Sequence, residues 1–271
     1  MLVLGINAYE LTSSAAFIKD GEVVFAICEE RLSRIKRHKC FPILSIKEGF
    51  KFLNISMSDV DIISVGWNPS VEAFKLNGVL HHRPRELYYY KIQEALFSLN
   101  NIDNEDSDWT LIRSSGNSIP DIYFVRHHLS HAANAAFQSP FKSGHVLTLD
   151  FMGERQTGCF GQFEGNSLTI NEYAKQPSST GAFYAAITEM IGYKPDSDEW
   201  KVMALSGLPN NKEKINKYIE VFRNSILDEG IAPFLKNEFY NTDQPREKYL
   251  TTTKLRRLLD HPGFENIDDS E

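Results

Sequence analysis

The sequence predicts an α/β fold, and three observations carry that expectation. Short apolar runs alternate with segments of helical spacing, the chain opens on three closely spaced strands followed by a helix, and the same order recurs near residue 145. The 271 residues are 42% apolar and 12% aromatic, ample for a packed core, and the 24% charged content is that of a globular chain, which excludes global disorder. A net charge of −7 excludes a protein whose whole surface grips nucleic acid.

The elements follow in order. Leu2 to Ile6 is a short apolar strand, Ser14 to Ile18 a second, and Lys19-Asp20-Gly21-Glu22 has the Asp-Gly turn signature before Val23 to Cys28 returns as a third. Pro42 to Leu53 carries Ile43, Leu44, Ile46, Phe50 and Leu53 at helical spacing, with proline at its start. Val60 to Trp67 reads as a fourth strand. Glu86 to Leu99 reads as a helix within an insertion around 68–120, and residues 100–108 as an acidic loop. Ile122 to Val125 is another strand, and Leu129 to Phe137 an Ala-rich helix. Val146 to Asp150, Thr157 to Phe163, a turn at Glu164-Gly165-Asn166 and Leu168 to Tyr173 then repeat the opening pattern. Thr180 to Ile191 is helical, Asp198 to Leu205 reads from pattern alone as a strand edge, and Asn211 to Leu227 is an amphipathic helix. Asp268-Asp269-Ser270-Glu271 has the residues of a helix start.

A three-strand meander followed by a helix, met twice, resembles the actin-like ATPase (ribonuclease-H-like) fold. The expected organisation is one complete lobe over 1–143 and an incomplete second lobe over 144–271 with a helical C-terminal portion. In that architecture the loop after the first strand of each lobe handles phosphates, which points to Asn7-Ala8-Tyr9 and to Asp150-Phe151-Met152-Gly153. Three cysteines (Cys28, Cys40, Cys159) form no CxxC pair, which suits a reducing, cytoplasmic setting. No basic leader with a cleavage site opens the chain, and no apolar run approaches the roughly 18 residues of a membrane span.

Three segments could carry chemistry. In Arg126-His127-His128-Leu129-Ser130-His131, His127 and His131 are four apart, so on a helix they share a face and can chelate one divalent ion. His128 and His131 are three apart and could pair instead, and Asp150, closing a strand downstream, is a candidate third ligand. The same histidines could equally be a core or capping cluster. Glu29 to Lys39 places five cations beside two acids, either a solvated loop or a clamp for a phosphate or nucleotide. Asp198 to Leu205 alternates Glu199 and Lys201 with apolar residues. No P-loop, nucleophile elbow, HExxH or GxGxxG is present.

Together these segments resemble the NodU/CmcH family of O-carbamoyltransferases. The matching stretches are GINAYELTSSAAFIKDGEVVFAICEERLSRIKRHKCFP (5–42), HHLSHAANAAFQSPF (127–141), LTLDFMGE (147–154) and TGAFYAAITEMIGYKPDSDEWKVMALSG (180–207), in the family's order and spacing. The resemblance implies transfer of a carbamoyl group from carbamoyl phosphate, through an ATP-derived carbamoyl-adenylate, to a hydroxyl of a sugar or natural-product acceptor. It implies a divalent metal, Fe2+ foremost, held by His127, His131 and Asp150, with Arg34, Lys36, Glu199 and Lys201 near the nucleotide. It also implies a partner chain, or further chain, carrying the remaining lobe and a YrdC-like domain where the adenylate is made, and no nucleic acid or membrane partner. No catalytic acid or base is assigned.

Three residues in two motifs depart from the family pattern. Its His-Asp before the second strand is Leu11-Thr12 here, and the first glycine of its Asp-Gly-x-Gly-Glu is Phe151. A non-catalytic binding or partner module of the same fold is therefore the alternative function. A sugar-kinase-like phosphotransferase of the superfamily is disfavoured by the paired histidines and by EERLSRIK.

Overall fold

The opening meander forms as its turn chemistry dictates. In the computed structural model, strands β1 (Leu2–Asn7), β2 (Ser14–Lys19) and β3 (Glu22–Cys28) pair antiparallel. Asp20 and Gly21 both take positive φ, 51° and 92°, the conformation a two-residue hairpin turn requires. The structure describes residues 1–8, 11–39, 41–67, 109–112, 120–154, 156–175, 178–208, 212–227, 230–231, 234–235, 239 and 253–259. The Glu86–Leu99 helix, the 100–108 loop, Tyr9, Cys40 and the helix start at 268–271 lie outside the described residues.

The chain divides into two units, Met1–His131 and Ala132–Glu271. The sequence pattern places the division between lobes at 143/144. In the first unit β3 leads into a short helix, α1 (Glu29–Ser33), then α2 (Ile43–Leu53) crosses over to β4 (Ile62–Val65), which pairs parallel with β1. A parallel neighbour demands such a crossover. Next come β5 (Trp109–Ile112) and β6 (Asp121–Val125); β6 is parallel to β4, and β5 lies antiparallel at the edge. The sheet order is β3-β2-β1-β4-β6-β5. An antiparallel meander whose first strand carries further parallel strands is the ribonuclease-H-like arrangement, so the expected fold class is found. Leu4, Ile6, Phe17, Ile46, Val60 and Ile63 form its core, where α2 lays its apolar stripe on β2 and β3.

Helix α3 (His127–Phe137) follows β6 directly, two residues earlier than the Ala-rich pattern suggests. The second unit repeats the meander: β7 (Ser143–Leu149), β8 (Gln156–Glu164) and β9 (Ser167–Lys175) pair antiparallel in that order. Gly165 makes the turn at φ 55°, and Ala132, Val146 and Cys159 pack together beneath the sheet. Helices α4 (Thr180–Met190), α5 (Glu199–Leu205) and α6 (Lys212–Ser225) follow, then the short pair β10 (Ile226–Leu227) and β11 (Phe234–Leu235), and α7 (Thr253–Leu258). Ala186, Met190, Leu255 and Leu259 form a second core between α4 and α7, where buried Arg256 meets Glu189 at 3.5 Å.

Asp198 to Leu205 is a helix, which corrects the strand-edge reading. Alternation over so few residues does not separate periods of 2 and 3.6, and local polar chemistry decides. Asp198 stands at the N-cap and pairs with Lys201 across one turn at 2.9 Å, while Glu199 accepts the Asp196 N–H. Among the described residues, no helix is long and apolar enough to cross a membrane.

Candidate metal centre

The site begins where β6 gives way to α3. Ser130 closes the first turn by donating its hydroxyl to the Arg126 carbonyl at 3.1 Å, and the alanines that follow favour continuous helix. His127 and His131 therefore lie one above the other. Their Nε2 atoms are 3.0 Å apart with the rings perpendicular, and the Trp67 ring meets His127 edge-on at 5.3 Å. His128 is fully buried, so helix geometry gives it to the core and leaves the i, i+4 pair at the surface.

Asp150 follows the last residue of β7. The ligand atoms of His127, His131 and Asp150 all lie within 4.8 Å of one another. Two nitrogen donors each about 2.1 Å from an ion, at a right angle, stand about 3 Å apart; the Nε2 pair has that spacing. Two imidazoles and one carboxylate also form the donor set of open-sided non-haem iron sites. The residues fit a divalent transition metal. One Asp150 carboxylate oxygen, Oδ1, accepts the Phe151 N–H at 2.7 Å, which holds the head group to its own loop.

The acid-and-base segment folds as a bracket rather than the open loop that its charge density suggests. Glu29 is only 1% exposed and accepts three hydrogen bonds, from Leu44 N–H at 3.0 Å, Ser45 N–H at 2.7 Å and the Ser45 hydroxyl at 2.6 Å. Burial opposes its ionisation, but those donors and nearby His38 together hold the carboxyl below the usual glutamate range. Glu29 thus caps α2 from outside the helix, in place of Pro42, which offers no cap. Glu30 accepts the Arg37 N–H at 2.8 Å. Arg34 and Arg37 take left-handed φ values of 61° and 55°, and the side chains of Arg34 and Lys36 are exposed.

In the second unit Lys201 lies over the rings of Tyr193 and Trp200, at 5.7 and 5.6 Å, and its bond to Asp198 holds that carboxyl below the ordinary aspartate value. Glu199 and Lys201 are thereby occupied in fixing α5. The structure brings together His127, His131 and Asp150; it places Arg34 and Lys36 on the bracket, and Glu199 and Lys201 on α5. Phe151 does not take a positive φ, so the backbone accepts a side chain where the family pattern has glycine.

Comparison with known proteins adds the family. The family described as "Carbamoyltransferase N-terminus" matches residues 2–267. The chain belongs to that family. It is similar to the uncharacterized protein sll1178 of Synechocystis, 34% identical over 83% of this chain and 37% of that one. It is also similar to the nodulation protein NolNO of Sinorhizobium fredii, 29% identical over 74% of this chain and 28% of that one. The chain thus spans about a third of the length of these curated relatives. Among solved structures, YeaZ from Pseudomonas aeruginosa aligns over 66% of this chain and 68% of its own, at 12% identity and a TM-score of 0.35; the fold assignment rests instead on the strand order above.

Sequence reasoning did not single out Glu29, Trp67, Ser179 or Gly181. A glycine at the second position of the helical pattern TGAFYAAITEM is the local signal available for Gly181, because a glycine in such a pattern usually has a packing reason. Burial of Glu29 has no local signal, since its partners are fifteen and sixteen residues away.

Proposed function

We propose that this chain is the metal- and nucleotide-binding part of an O-carbamoyltransferase. The observation that carries the reading is the convergence of His127, His131 and Asp150 within 4.8 Å, in a chain of the carbamoyltransferase N-terminus family. A divalent ion, Fe2+ foremost, would supply Lewis-acid polarisation and a template for phosphate oxygens. His127 and His131 hold it from one face of α3, and Asp150 from the end of β7. Arg34 and Lys36 offer exposed cations to the phosphates of ATP, carbamoyl phosphate or carbamoyl-adenylate. The acceptor is a small molecule with a hydroxyl group, and the remaining lobe and a YrdC-like domain are contributed by further chain or by a separate protein.

The test is elemental analysis of purified protein beside the His131→Ala variant. The expected result is about one divalent ion per chain, lost in the variant; equal and negligible metal in both would overturn the site. A coupled assay with ATP, carbamoyl phosphate and a protein containing the YrdC-like domain should give turnover that His127→Ala abolishes. The departure at Leu11-Thr12 favours the second reading, a non-catalytic module of the same fold, in which metal binds but that mixture never turns over.

A further inference from the structure

The carboxylate ligand sits on a strand-to-loop corner, and corners are mobile unless something pins them. Here the corner is pinned from the start of α4. Gly181 N–H donates to the Asp150 carbonyl at 3.2 Å, and the Ser179 hydroxyl shares its proton between the carbonyls of Phe151, at 2.7 Å, and Asp150, at 3.2 Å. On the opposite side the Asp150 N–H donates to the Thr157 carbonyl at 2.9 Å. The hydroxyl oxygen of Ser179 also accepts the Ala182 N–H at 3.0 Å, so one buried side chain caps the helix and grips the loop.

Contact is close enough to exclude any side chain at 181. A Cβ there would stand 2.5 Å from the Phe151 Cα and 2.7 Å from the Asp150 carbonyl carbon. Both are main-chain atoms, so no rotamer relieves the clash; the loop or the helix must move.

We infer that Ser179 and Gly181 are positioning residues for the metal ligand Asp150, locking the loop carbonyls so that the carboxylate stays aimed at the two histidines. The inference rests on the metal-centre reading above. Metal sites lose about ten- to a hundredfold in affinity when a ligand's supporting partner is removed.

Co2+ titration followed by visible absorption tests it in the full chain. Gly181→Ala and Ser179→Ala should each bind Co2+ at least about tenfold more weakly than the wild type. Ser179→Thr, which keeps the hydroxyl, should restore binding. Ala186→Gly, which weakens the buried face of the same helix away from the loop, should bind as the wild type does. Wild-type affinity in Gly181→Ala would overturn the inference, as would equal weakening in Ala186→Gly, which signals general loss of stability. Should Gly181→Ala fail to fold, the Ser179 pair decides alone. Failure of the metal centre itself gives a different result: the wild type and His131→Ala bind Co2+ alike.

Discussion

Glu29 shows how one side chain can be read wrongly from charge alone. It belongs to a run of ionised residues, yet it is the one that leaves solvent, because α2 begins with backbone N–H groups that Pro42 cannot satisfy. A carboxylate accepting several donors gains more from them than burial takes away, and its carboxyl titrates below the ordinary value. The folded state therefore binds the Glu29 proton less tightly than the unfolded chain does. Its stabilisation is complete above the unfolded value, roughly 4.3, and is lost as pH falls through the lower folded value. Glu29→Gln should cost about 1–3 kcal/mol at pH 7. Urea unfolding across a pH series should show that deficit shrinking only below about pH 4.3; a deficit constant down to pH 3 would contradict the ionised assignment.

Elements are decided by contests between local preference and packing. Gly49 lies in the middle of α2, where replacement by alanine would add about 1 kcal/mol of helix stability. Its missing Cβ, however, faces the ring of buried Phe17, with Cδ2 at 2.8 Å and Cζ at 3.0 Å. Overpacking a filled core costs about 1–3 kcal/mol, so steric conflict wins. Gly49→Ala should be net destabilising in urea unfolding, and a stabilised variant would show that the helix can slide. Helix α5 is the reverse case: local polar bonds around its first turn hold it. Asp198→Ala removes the acceptor for the Lys194 N–H and the carboxylate partner of Lys201. The expected outcome is a small loss of stability, measured the same way.

For the molecule as a whole, α3 carries His127 and His131, and Ala132 on the same helix packs with Val146 and Cys159. An ion bound only by the folded state stabilises that state by mass action. Co2+ at a hundred times its dissociation constant should raise unfolding stability by about 2.7 kcal/mol, with no effect on His131→Ala.

Much of this was legible in the chain. Turn chemistry at Asp20-Gly21, periodicity in Ile43 to Leu53, and i, i+4 spacing of His127 and His131 are local signals, and each strand of both meanders appears within a few residues of its expected place. The strand pairings β1–β4 and β4–β6 and the burial of Glu29 and His128 were decided by tertiary structure. So was the seat of Asp150 on Ser179 and Gly181, whose hydrogen bonds join groups about thirty residues apart. Period and turn type are properties of neighbouring residues, and sequence by itself determines them. Which polar group ends in the core, and which ligand is held still, depends on what the rest of the chain brings against it, and only the packed fold settles that.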